Sequence, residues 1–233
     1  MKGKLIYCIF VLLFYFNCYN APQKIPTGSW NYRLFTNGIR MGNAVISNQL
    51  INGNYVSTSE LKLSFGGIIN TSKQTIVETK NFKPLSLETI NKTIRGNSIY
   101  TTSIKASINE GNIDLVSSPG ERKSVIKIEK NFILDGNYFM AKFIEGKFKT
   151  GLSIEANIYD PSIEIDKPIT IKTRVVGIEE LKIKGKSERL IHLIQSIENI
   201  KNIDLYINAQ GILIKGVIEM LNMKVELIKE QQS

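Results

Sequence analysis

Leu61, Leu63 and Phe65 alternate with Lys62 and Ser64, and Ile169, Ile171 and Thr173 alternate with Thr170 and Lys172. A period of two puts the two sets on opposite faces of a strand, one dry and one wet. Between such stretches stand Asn37-Gly38, Asn52-Gly53, Gly66-Gly67, Gly96-Asn97, Gly111-Asn112 and Gly185. Glycine and asparagine tolerate the positive φ of tight turns, so each Asn-Gly predicts a hairpin. The pattern predicts a strand from Ser29 to Thr36 and another from Ile39 to the Asn52-Gly53 turn. Further strands are expected at 152–159, 168–176, 188–197, 203–208, 212–220 and 223–228, with Asn208 to Gly211 as a turn.

One segment has a different period. From Asp135 to Gly151 the polar positions Lys142, Glu145, Gly146 and Lys149 recur at helical spacing. Tyr138, Phe139, Met140, Ala141, Phe143, Ile144 and Phe148 are left on a broad apolar face. Asp135 is a candidate N-cap, Lys147 and Lys149 suit the negative end of the helix dipole, and Gly151 is placed to end the helix. So narrow a polar stripe requires enclosure. The expected fold is therefore mainly β: a curved antiparallel sheet, an incomplete barrel, wrapped around one central helix. Pro161 and Pro168 bracket a loop too short to act as a linker between domains, so residues 29–233 read as a single β-rich domain.

The N-terminus follows another logic. Lys2 and Lys4 precede an apolar run from Leu5 to Phe16, and Asn17-Cys18 follows at once. A run of about twelve residues is shorter than the roughly 20 that cross a bilayer as a helix, and its layout is that of a secretory signal over 1–17. Cleavage after Asn17 would make Cys18 the acceptor of a lipid anchor, with 18–28 as tether. Plain secretion, with cleavage after Ala21, and an uncleaved anchor are the alternatives. Cys8 leaves with the signal, so no internal disulfide is expected and the core must hold the fold. The expected location is exported, periplasmic or lipid-anchored at the outer membrane.

Formal charge is +9, or +7 without Lys2 and Lys4. The basic residues are scattered singly rather than clustered, which argues against nucleic acid as a partner. His192, the only histidine, lies in the apolar run Leu190-Ile191-His192-Leu193-Ile194 and reads as a hydrogen-bonded structural residue. The carboxylate pairs Glu179-Glu180, Asp160 with Glu164, and Glu164 with Asp166 read as strand and loop charge. Neither a phosphate loop nor a nucleophile elbow is seen. The chain is expected to be no enzyme and to need no cofactor or metal.

A sheet curved around a helix can leave room for an apolar ligand. The candidate lining is Phe139, Met140, Phe143 and Phe148 from the helix, facing Leu61, Leu63 and Phe65 from the sheet. The alternative is that these side chains fill the space themselves.

Trp30-Asn31-Tyr32-Arg33-Leu34, then Asn37-Gly38-Ile39, Gly42 and Ala44, with Lys83-Pro84-Leu85-Ser86 and the closing Leu205-Tyr206-Ile207-Asn208, Gly211 and Ile214-Lys215-Gly216, resemble a family of uncharacterised secreted bacterial β-proteins, a domain of unknown function. The overall plan is also similar to the lipoprotein-localisation carriers, whose incomplete barrel holds acyl chains against internal helices. That likeness implies binding rather than catalysis. The membrane would be a partner through the lipid anchor, and the bound species an acyl chain. A second class is a structural envelope lipoprotein that binds another envelope protein through a sheet edge or face.

Overall fold

The tips at Asn37-Gly38 and Asn52-Gly53 both have positive φ at each residue, 49° and 82° in the first and 50° and 80° in the second. Such mirror-image turns match the twist of the strands they join. The computed structural model describes residues 24–109, 112–128, 131–134, 136–198, 201–220 and 223–230. The predicted signal, Cys18 and the start of the tether lie outside the described residues.

The elements are β1 (Gly28–Thr36), β2 (Ile39–Ile51), β3 (Asn54–Phe65), β4 (Ile68–Thr79), β5 (Pro84–Arg95), β6 (Ser98–Asn109), β7 (Asn112–Ser118), β8 (Arg122–Lys127), α1 (Asn137–Glu145), β9 (Ser153–Ile158), β10 (Ile169–Ile183), β11 (Lys186–Ile197), β12 (Lys201–Ile207), β13 (Leu213–Met220) and β14 (Met223–Lys229). The strands form one sheet of 14, in the order β8 to β1, then β14 to β9. Two antiparallel meanders thus join where β1 pairs with β14, and α1 belongs to the connection between the two free edges.

The sheet curls without closing. After β9, Tyr159 packs with Ile76, Leu87, Ala106 and Ile113 on the concave side of β4 to β7. Asp160 accepts a hydrogen bond from Gln74 at 3.1 Å. The β9 edge thereby lies inside the curl. It is partly covered by a parallel bridge between Ile133 and Ile158. The other edge, β8, carries Arg122, Lys123 and Lys127, charges of the kind that discourage edge-to-edge pairing. Leu134 is held against β4 by its N–H, which donates to Oε1 of the fully buried Glu78 at 2.7 Å.

The helix is shorter than its apolar pattern. It spans nine residues, begins after Gly136 without a side-chain cap, and ends at Gly146; Asp135 lies outside the described residues. A Cβ on Gly146 would stand 2.3 Å from Cδ2 of Leu152, so the helix end is packed tightly against the residue that leads into β9. Lys147 and Phe148 then take positive φ. This turn, not helical spacing, brings the Phe148 ring onto Phe143, with centroids 6.1 Å apart. At the other end a relay of rings, Tyr55 to Phe82 to Tyr138, ties the first turn of α1 to the start of β3 and the turn between β4 and β5.

The main core joins Phe139, Phe143 and Phe148 to Ile171, Val175, Ile191, Leu193 and Ile207. A third, outer cluster was not visible in the sequence. The distal end of the β10–β11 hairpin puts Ile183 and Leu190 against Ile214, with Tyr206 and Ile228 beside them. Lys184 Nζ donates to the Lys229 carbonyl at 3.2 Å, tying the hairpin tip to β14.

Candidate functional site

Between α1 and the concave faces of β1–β4 and β10–β13 lies a cavity of about 300 Å³. That is at the small end of ligand pockets, or roughly ten waters' worth of volume. Its two walls differ in chemistry. From α1 come Phe139, Met140 and Phe143, and from β11, β12 and β13 come Leu193, Leu205, Ile207 and Leu213. Opposite them β2, β3 and β4 present Asn48, Ser57, Ser59 and Gln74, with Ile46 and Ile76 among them. Thr173 and Gln195 are the polar residues of the β10–β11 side, and Gln195 donates to Thr173 at 3.3 Å. Among the described residues the lining holds no Asp, Glu, Lys or Arg.

The helix is joined to the polar wall by a small buried network. Asn48 Nδ2 donates to Asn137 Oδ1 at 3.0 Å and to the Pro26 carbonyl at 2.9 Å. Asn137 Nδ2 donates to Ser57 Oγ at 3.0 Å, and Ser57 donates to Asn48 Oδ1 at 3.3 Å. Amides suit this position because each offers donors and acceptors without a charge to desolvate. At the β1 side Tyr32 is buried and donates to the Leu213 carbonyl at 3.1 Å. Burial pushes its phenol well above the usual tyrosine range, so it stays a neutral donor.

Of the sheet and helix residues singled out as lining, Phe139, Met140 and Phe143 face the cavity. Phe148 is buried beside Phe143 in the core instead. Leu61, Leu63 and Phe65 do not line it. Register shows why. Ser57, Ser59, Leu61, Leu63 and Phe65 share one face of β3, but the helix reaches that face only near Ser57, which is opposite Asn48. Leu61 and Leu63 lie further along, opposite Ala44 and Gly42, and Phe65 stands in solvent at the hairpin tip. The sequence reading missed the polar wall, since alternating Ser57 and Ser59 resemble a solvated face. Asn137, inside an otherwise apolar helix face, was the available signal.

The remaining candidates lie elsewhere. His192 sits on the outer face with Nδ1 2.6 Å from Glu179 and Nε2 2.8 Å from Asp204, stacked on Tyr206 at 4.5 Å. The two carboxylates take opposite ring nitrogens and share no point where an ion could sit. Burial first, then Glu179 and Asp204, raises the Tyr206 phenol. Glu180 accepts a hydrogen bond from Ser187. Asp160, besides Gln74, accepts from the hydroxyl and N–H of Ser162. Among the described residues no cluster of three or more His, Cys, Asp and Glu is arranged to hold a metal, and no helix is long and apolar enough to cross a membrane.

No protein-family model matches the chain, and no curated protein matches it in sequence. Solved structures do resemble it. A β-barrel-like protein from Brucella abortus, of the domain of unknown function DUF1849, superposes with a TM-score of 0.63 at 12% identity, covering 89% of this chain and 97% of the other. A DUF1089 family protein from Pseudomonas aeruginosa is more distant, with a TM-score of 0.35 at 11% identity over 82% of this chain and 90% of its own. The first likeness shows the fold, a large antiparallel sheet in a β-barrel-like arrangement shared with an uncharacterised β domain.

Proposed function

We propose that this is an exported cell-envelope protein, anchored by lipid on Cys18, that binds one single-chain amphiphile in the cavity beneath α1. The observation that carries the reading is the pairing of walls around the 300 Å³ space: aromatic and aliphatic side chains on one side, uncharged hydrogen-bonding groups on the other. A hydrocarbon chain gains from burial against the first wall by about 0.8 kcal/mol per methylene. An ester, hydroxyl or amide end would exchange hydrogen bonds with Ser59, Gln74 or Gln195. A carboxylate or phosphate would meet no cation among the described lining residues. Acyl chains ending in an uncharged polar group are therefore the favoured class, and Met140 supplies a side chain able to adapt to their bends. The lipoprotein-carrier plan fits this use, and anchorage at a membrane would keep the protein where such chains are found.

Native mass spectrometry of residues 19–233, purified gently from a bacterial periplasm, tests the reading. An added mass that resolves to a lipid or fatty-acid derivative is expected, and Leu205→Trp, which fills the apolar end, should abolish it. A clean apo mass, together with failure of an apolar fluorescent dye to bind, would sink the proposal and turn attention to a sheet edge or face as a protein-binding surface.

A further inference from the structure

At one end of the sheet the alternation of dry and wet faces breaks down. Three hairpin tips, β1–β2, β3–β4 and β5–β6, stand level there. Leu63 lies opposite Gly42, and Phe65, Ile68, Arg95 and Ser98 form one continuous register row across four strands. The next row, on the opposite face, is Ser64, Ile69, Ile94 and Ile99. Both faces of the rim thus carry apolar side chains among polar ones, and several of them stand out in solvent: Phe65 is 74% exposed, Ile39 67%, Tyr100 64% and Ile99 59%. A strand end facing water has no use for apolar groups on both sides, whereas one entering a hydrocarbon boundary does.

Charge identifies the occupant. Segments 33–42, 61–73 and 89–101 contain six basic residues and no acidic one. Lys73 is paired with Glu60 further up the strands, and Arg33, with Arg40 at longer range, offsets Glu230. Lys62, Lys92 and Arg95 remain beside the apolar tips, and Arg40 stands on the β1–β2 hairpin with only that long-range tie to Glu230. Long basic side chains around exposed aromatic and aliphatic groups are suited to an anionic lipid surface, the chains entering the boundary and the cations meeting the headgroups.

We infer that this three-hairpin rim docks onto the surface of an anionic membrane, with Phe65 and Ile99 entering it. The docking does not depend on the cavity having a ligand or on Cys18 carrying lipid. It is also distant from the point where the described chain enters the sheet. The chain enters β1 at Gly28, opposite Asn48, at the other end of the strands from Phe65.

The test uses the full chain with Trp30→Phe and Phe65→Trp, so that the rim holds the single tryptophan, and a reference chain with Trp30→Phe and Val125→Trp. Vesicles are phosphatidylglycerol with phosphatidylcholine, or phosphatidylcholine alone, with and without brominated acyl chains. Emission from position 65 should move to shorter wavelength and be quenched by bromine on the anionic vesicles, while position 125 stays unchanged. Reversing Arg40, Lys62 and Arg95 to Glu should weaken the effect by roughly a hundredfold in lipid concentration. A position 65 that stays water-like on both vesicles, or responds equally to neutral ones, overturns the inference. So does a shift that needs no vesicles and grows with protein concentration, which would make the rim a contact between copies of this chain.

Discussion

Along β3 the side chains that face the helix are Ser57 and Ser59, while along β12 they are Leu205 and Ile207. Both strands belong to the same sheet and both turn one face inward, yet they hold α1 by different physics. The β9–β14 arm binds it by removing apolar surface from water, through Phe139 and Phe143 packed on Ile171, Val175, Leu193 and Ile207. The β1–β8 arm adds, beside the ring contact of Phe82 with Tyr138, directed hydrogen bonds: Asn48 donates to Asn137, and Asn137 donates to Ser57. Hydrophobic contact sets how strongly the helix is held but is indifferent to small slides. Amide hydrogen bonds add little net energy and are demanding in geometry. The helix is therefore fastened chiefly from one side and positioned from the other, with the cavity lying between them.

The largest effect should come from the fastening side. Phe143→Ala removes a fully buried ring and is expected to destabilise the fold by about 3–5 kcal/mol in denaturant titration. A cost below about 1 kcal/mol would show that the apolar arm is not what holds the helix.

Tyr159 tests the packing under the other arm. Its phenol is pushed up to about 12, by burial first and then by Asp166 and Asp160. A raised pKa means that the folded state keeps the proton longer than the unfolded one. The stabilisation is fully present below about pH 10 and is lost as pH rises toward 12. Stability measured from pH 9 to 12 should fall by on the order of 2 kcal/mol more in the native protein than in Tyr159→Phe. Equal slopes would refute the assignment to Tyr159.

Asn137→Ala should cost about 1–3 kcal/mol, because Asn48 and Ser57 lose a buried partner. The double variant Asn48→Ala, Asn137→Ala should cost clearly less than the two singles added together, as expected for residues in one network. Strict additivity would mean that the positioning network does not act as a unit.

The smallest change in stability, within about 0.5–1 kcal/mol, is expected for Ser59→Val. Its reading is in selectivity. With the polar wall made apolar, binding should shift from acyl chains with an ester or hydroxyl end toward plain hydrocarbon probes, seen by displacement of an apolar dye. Unchanged preference would leave the contrast between the walls without functional meaning.

Much of this architecture is written locally. Asn37-Gly38 and Asn52-Gly53 specify their turns because few other residue pairs accept two positive φ values in succession, and alternation settles which side chains share a strand face. The apolar run around Phe139 to Ile144 identifies the helix. Its length was not legible, because Phe148 reaches the core by a left-handed turn after Gly146 although it also continues the helical pattern. The lining was legible on the helix and not on the sheet. Leu61, Leu63 and Phe65 share a face with Ser57 and Ser59, and no local property tells which rungs of that face the helix will cover.

The sequence by itself determined the antiparallel meander, its turns and the presence of an enclosed helix after the first meander, since these follow from backbone conformational preference and side-chain period within a few residues. Only the tertiary structure decided that the sheet curls past its own β9 edge, that the β10–β11 hairpin folds back onto the outer face, and that α1 crosses β3 at Ser57 and not at Leu61. Those outcomes depend on twist accumulated over many strands and on contacts between residues some 80 positions apart, such as Asn137 with Ser57. No short-range pattern encodes such distances.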